Sequence, residues 1–195
     1  MKLKKFKEKY SKKANKKPIV NRKYVDYKWV MTITILAFII SFGFSFISEY
    51  TIPNANMIVA IILIILFIGI GIIFDMIGIA VTVADIKTFN SMATKKVRGS
   101  KLAVRLIQNA SRTSSFCNDV IGDICGIISG SAGVSLAVIL SKTFDLSIFW
   151  VTLFITAIIA ALTIGGKALG KSTAMNKSTF ILFQFSRVAS IFYRK

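Results

Sequence analysis

The sequence predicts an all-α membrane protein with four transmembrane helices, and two observations carry that prediction. The chain of 195 residues is 54% apolar, and its apolar residues fall in long blocks. It has 26 Lys and Arg against 8 Asp and Glu, and the basic residues are gathered between the blocks. In a soluble protein this excess would suggest nucleic acid. Basic segments that flank apolar blocks are instead typical of membrane topology, so we expect no nucleic-acid partner.

Each of the four apolar blocks is long enough to cross a bilayer, which takes about 20 residues in a helix. Trp29 and Tyr50 would anchor the first block at the interfaces, and a short loop with Pro53 follows it. The last block is expected to end at the pair Gly165-Gly166. The predicted spans cover residues 29–48, 57–83, 115–140 and 148–164.

The remaining segments are basic and predict the orientation of the chain. Residues 1–28 form a tail with twelve Lys or Arg, set apart from a membrane domain at 29–195. Residues 85–114 hold seven more and have the pattern of a basic helical hairpin that Gly99 divides into two short helices. The amphipathic segment 171–195 would form a helix on the membrane. Because basic loops stay inside, we expect both termini in the cytoplasm, next to anionic lipid.

Three acids interrupt the apolar blocks, namely Asp75, Asp119 and Asp123. An α-helix would place Asp119 and Asp123 one turn apart on the same side, with Asn118 beside them. The predicted spans contain no Lys or Arg that would neutralise these acids. A carboxylate inside a bilayer must be protonated, paired or bound to a cation. These four residues are therefore candidate metal ligands, and oxygen donors favour Mg²⁺.

A plainer interpretation of the acids is also open. They would lie hydrated near the cytoplasmic ends of their spans, where a carboxylate also favours the start of a helix. Asn118, Gly122, Gly126 and Gly130 form a stripe of small side chains, which is typical of close helix packing. Cys117 and Cys125 are expected to be small buried residues, since they lie too far apart along a helix for a disulfide.

Several segments resemble the transmembrane domain of the CNNM/CorB/CorC magnesium transport family. They are FDMIGIAVTVAD at 74–85, RGSKLAVRLIQNASR at 98–112, FCNDVIGD at 116–123 and GGKALGKSTAMN at 165–176. The order and spacing of these segments agree with the family over most of the chain. The family's Glu in its Gly-Glu motif falls on Lys167, and its Ser-Glu-Thr segment falls on Ile77, Gly78 and Ile79. The resemblance implies a homodimer in the cell membrane that lacks the family's CBS-pair domain.

The residues and the resemblance together suggest a membrane protein that binds, and in its fuller role transports, a divalent cation such as Mg²⁺. The alternative is a non-transporting membrane subunit or assembly factor, in which the small-residue stripe and the basic surfaces serve docking. An enzyme is not expected. The chain has no histidine and shows no phosphate-binding glycine loop.

Overall fold

The computed structural model describes residues 27–51 and 56–192, and every element in these ranges is a helix. The predicted basic tail lies outside the described residues apart from Tyr27 and Lys28, as do Pro53 and residues 193–195. In chain order the elements are α1 (Tyr27–Thr51), α2 (Met57–Val83), α3 (Ile86–Thr94), α4 (Ser100–Gln108), α5 (Ala110–Ser115), a π-helix (Phe116–Gly122), α6 (Asp123–Phe144), α7 (Ile148–Asn176) and α8 (Ser178–Phe192).

The chain divides into two compact units, Met1–Thr32 and Ile33–Lys195. The described part of the first unit is the beginning of α1. The second unit contains the rest of α1 and all the other described helices, and the candidate site lies entirely within it.

Four stretches of helix in the described part of the chain are long and apolar enough to cross a membrane. The prediction of an all-α chain with four such helices is therefore confirmed. Many large apolar side chains point outward, among them Phe38 at 70% exposure and Phe154 at 67%. Acyl chains would cover such a surface without the free-energy cost that water imposes. The four stretches are Tyr27–Phe46, Met57–Val83, Ala110–Phe144 and Ile148–Asn176.

Helices α2, α6 and α7 pack together around one apolar cluster. Ala60 and Ile64 of α2 meet Ala132 and Leu136 of α6 and Ile159 of α7, all of them buried. A second cluster joins the end of α2 to α3, α4, the π-helix and α8, with Phe89 and Leu182 completely buried. Helix α2 therefore takes part in both clusters, with its first half in the first cluster and its end in the second.

The fourth apolar block continues as a helix well past its predicted end. Helix α7 runs through Gly165-Gly166 and reaches Asn176. The predicted end at the two glycines was wrong because glycine here allows close helix packing. A side-chain carbon at Gly166 would collide with Ile72, and one at Gly170 would lie 2.9 Å from Met76 Cγ. The lack of a side chain lets α7 approach α2 closely, and a helix tolerates glycine at a cost of about 1 kcal/mol.

Gly99 lies between the two short helices α3 and α4, as predicted for the basic segment. Its φ of +87° is in the left-handed region, which favours glycine. A side-chain carbon there would also lie 2.8 Å from the backbone nitrogen of Arg187 in α8. Gly99 therefore both turns the chain and lets α8 pack against the start of α4.

Candidate functional site

The segment that carries Asn118 and Asp119 is a π-helix, Phe116–Gly122, inserted in the third long apolar helix. A π-helix bonds residues five apart, so each turn holds more residues than an α-turn. The regular α-helical spacing assumed for this segment therefore does not hold, although residues four apart, such as Asp119 and Asp123, still lie close to one turn from each other. Short π-helical stretches occur often at functional sites. Such a stretch changes which side chains face the neighbouring helices.

Asn118 is held against the second span at a glycine. A side-chain carbon at Gly78 would lie 2.7 Å from Asn118 Cγ and closer still to its amide oxygen. The side-chain nitrogen donates a hydrogen bond to Ser114 Oγ at 3.4 Å. The side-chain oxygen is buried and accepts no hydrogen bond within the described part of the chain. Burial of such an acceptor without a partner costs about 1–3 kcal/mol.

The three acids share one electrostatic neighbourhood without forming a compact cluster. Asp75 lies within electrostatic range of both Asp119 and Asp123. Asp75 is half-buried, whereas Asp119 and Asp123 are exposed. Within residues 27–51 and 56–192, no group of three Asp, Glu, Cys or His side chains is placed to hold a metal ion. A cation at this place would therefore need ligands besides the carboxylates, from Asn118, backbone oxygens and water.

The expectation that these acids have no basic neighbour is wrong for Asp123. Lys167 Nζ lies 3.8 Å from Asp123 Oδ1, and the lysine side chain is only 28% exposed. Lys167 and Lys171 also act electrostatically on Asp75, Lys167 the more strongly. The lysines reach the acids because α7 continues past Gly166. The spacing of Gly166 and Gly170, and of Lys167 and Lys171, at one helical turn is the sequence signal that could have revealed this.

The two cysteines and the glycines of the small-residue stripe differ in how closely they are packed. Cys117 and Cys125 are buried free thiols, as predicted. Gly122 is buried next to α2, where a carbon added at Gly71 would lie 3.6 Å from its carbonyl oxygen, an ordinary contact distance. Added carbons at Gly126 and Gly130 would meet nothing within 4 Å. Only the first half of the predicted small-residue stripe therefore takes part in packing within the described residues.

Comparison with known proteins leaves the family of the chain open. No family model, curated protein or solved structure matches it. The resemblance to the CNNM/CorB/CorC membrane domain accordingly stays a hypothesis from sequence motifs.

Proposed function

We propose that this chain is a multi-pass membrane protein that binds a divalent cation, with Mg²⁺ as the favoured ion. The site comprises the oxygen of Asn118 together with the carboxylates of Asp75, Asp119 and Asp123. Transport of the bound ion is the fuller form of the proposal, and it requires the site to open to each side in turn.

The observation that carries the proposal is the unpartnered oxygen of Asn118. It is buried beside Gly78, three residues after Asp75 in α2, and it belongs to the same π-helix as Asp119. A hard cation is the ligand that an amide oxygen and carboxylates attract together. Mg²⁺ usually keeps several waters and takes only one or two carboxylates. It therefore does not need the three converging carboxylates that the described residues lack.

The charge pattern supports a defined orientation and place for this protein. The loop at 49–56 holds no Lys or Arg, and the loop at 141–147 holds one. The segment 85–114 holds seven. Both termini and the basic helices would then lie in the cytoplasm, against anionic lipid of the cell membrane. In this orientation the site opens near the cytoplasmic ends of the second and third spans. A homodimer follows from the family resemblance and belongs to the same proposal.

Calorimetric titration of Mg²⁺ into the purified protein in lipid nanodiscs tests the binding. We expect the wild type to bind and Asp123→Asn to bind at least about tenfold more weakly, since one carboxylate ligand is lost. Asp145→Asn is the matched control, because Asp145 is an exposed acid directly after the far end of α6. Equal binding by all three proteins would remove Asp123 from the site, and no binding by the wild type would end the proposal.

One observation favours the alternative, a membrane interaction subunit that carries no ion. Lys167 lies next to Asp123 and gives at least one of the acids a partner without any ion. On that account the protein would leave the Mg²⁺ content of cells unchanged when it is well expressed alone. Cells that gain or lose Mg²⁺ with the wild type, but not with Asp123→Asn, would exclude this alternative.

A further inference from the structure

Lys167 lies where a cation bound to Asp123 would also need to lie. Its ammonium is 3.8 Å from Asp123 Oδ1 and 3.7 Å from the position that a side-chain carbon would take at Gly122. The first distance is longer than the roughly 2.8 Å of a tight charge-assisted hydrogen bond. The lysine is therefore an electrostatic partner that is not locked to the carboxylate. The ammonium therefore lies beside the start of α6, at ordinary contact distance from Gly122.

An ammonium and a divalent cation cannot share one carboxylate at close range without strong repulsion. Lysine carries its charge on a flexible four-carbon stem, so the ammonium can leave the acid while the backbone stays in place. In the cation-free protein, Lys167 lowers the cost of a carboxylate near the membrane interior. When the ion enters, the lysine has to withdraw.

From this geometry we infer that Lys167 is a tethered counter-ion that a divalent cation displaces from Asp123, and that it keeps weakly attracted monovalent ions from occupying the site. The inference rests on the proposed cation binding. A monovalent ion carries no more charge than the ammonium it would replace, so it gains little by displacing the lysine. A divalent ion carries twice that charge and binds in spite of the competition. Lys167 competes with Na⁺ and Mg²⁺ alike, and the more weakly attracted Na⁺ is the ion that it keeps from the site.

Replacement of the lysine tests this competition. We expect Lys167→Gln to bind Mg²⁺ roughly tenfold more tightly than the wild type, as measured by calorimetry in nanodiscs. We also expect NaCl to weaken Mg²⁺ binding more in Lys167→Gln than in the wild type, relative to choline chloride at equal ionic strength. Lys177→Gln is the matched control, because Lys177 is an exposed lysine directly after the end of α7. In that variant both quantities should stay close to the wild-type values.

A double-variant cycle shows whether the effect acts through Asp123. In an Asp123→Asn background, Lys167→Gln should change Mg²⁺ affinity much less than in the wild type, because the shared carboxylate is gone and only the effect of Lys167 on Asp75 remains. An undiminished effect in that background would overturn the inference. Equal affinity of the wild type and Lys167→Gln would also overturn it while leaving the proposed function standing. No Mg²⁺ binding by the wild type or by any variant would remove the proposed function and the inference together.

A measurement on the wild-type protein covers the case in which Lys167→Gln does not fold. Mg²⁺ should increase the labelling of Lys167 by a small amine-reactive reagent, because displacement frees the ammonium from its acid and exposes it. Labelling of the exposed Lys177 serves as the internal reference, and mass spectrometry reads both sites. Labelling of Lys167 that falls or stays constant on Mg²⁺ addition would overturn the inference.

Discussion

At the scale of single residues, the conflict between stability and function is concentrated at Asn118. Its amide oxygen is buried with no hydrogen-bond partner among the described residues, which costs folding free energy. The close approach of Gly78 holds that oxygen in place. An uncompensated polar atom of this kind is expected where binding supplies the missing partner. Two substitutions distinguish the free-energy cost of burying this oxygen from its role in cation binding.

Replacement of Asn118 by leucine keeps the approximate size of the side chain and removes the oxygen. We expect Asn118→Leu to raise the free energy of unfolding of the cation-free protein by about 1 kcal/mol, since the unsatisfied acceptor is lost. The variant should also lose the stabilisation that Mg²⁺ gives the wild type. Thermal unfolding in detergent with and without Mg²⁺ measures both effects. A variant that Mg²⁺ still stabilises would show that Asn118 is not a ligand.

A methyl group at Gly78 should displace the same oxygen from the second span. Alanine normally stabilises a helix relative to glycine, but here its carbon would overlap Asn118. We expect Gly78→Ala to unfold more easily, by about 1–3 kcal/mol, and to bind Mg²⁺ more weakly. Gly69→Ala is the control, because nothing lies within 4 Å of a carbon added there. If both variants gain stability equally, the contact between Gly78 and Asn118 does not form.

At the scale of helices, the register of α7 against α2 determines which charges face the acids. Gly166 and Gly170 let α7 lie close to Ile72 and Met76. The same contact places Lys167 beside Asp123 on α6. The π-helix acts in the same way on the third span, since it shifts the residues that follow it relative to those before. The site is therefore built by helix packing more than by local sequence.

Separation of α7 from α2 should weaken both the fold and the ion pair. We expect Gly166→Leu to lower the free energy of unfolding by about 1–3 kcal/mol, because leucine overpacks the contact with Ile72. Gly165→Leu should have little effect, since nothing lies within 4 Å of a carbon added at that neighbouring position. Thermal melting of the two variants in the same detergent gives the comparison. Equal melting temperatures would mean that α7 does not pack on α2 at Gly166.

At the scale of the whole molecule, sequence patterns predicted the four long apolar helices, since each lies in a long apolar block. They also predicted the break at Gly99, where a left-handed φ requires glycine. Two features of the site were missed. A π-helix leaves no mark in a pattern that assumes regular α-helical spacing. Lys167 was missed because two adjacent glycines usually indicate a helix end, and only the approach of α2 shows that these glycines serve packing.

The remaining prediction concerns movement of the ion through the assembled protein. Proteoliposomes that contain the wild type and an internal Mg²⁺-sensitive dye should report Mg²⁺ entry down its gradient, whereas Asp123→Asn should reduce the rate at least about tenfold, in line with its weaker binding. Asp145→Asn should match the wild type, because that exposed acid lies past the far end of α6. Binding by the wild type without entry would separate the two parts of the proposal, since the ion would then occupy a site that opens to one side only. That result would favour a sensor or subunit, in which displacement of Lys167 by the ion is the signal rather than a step in transport.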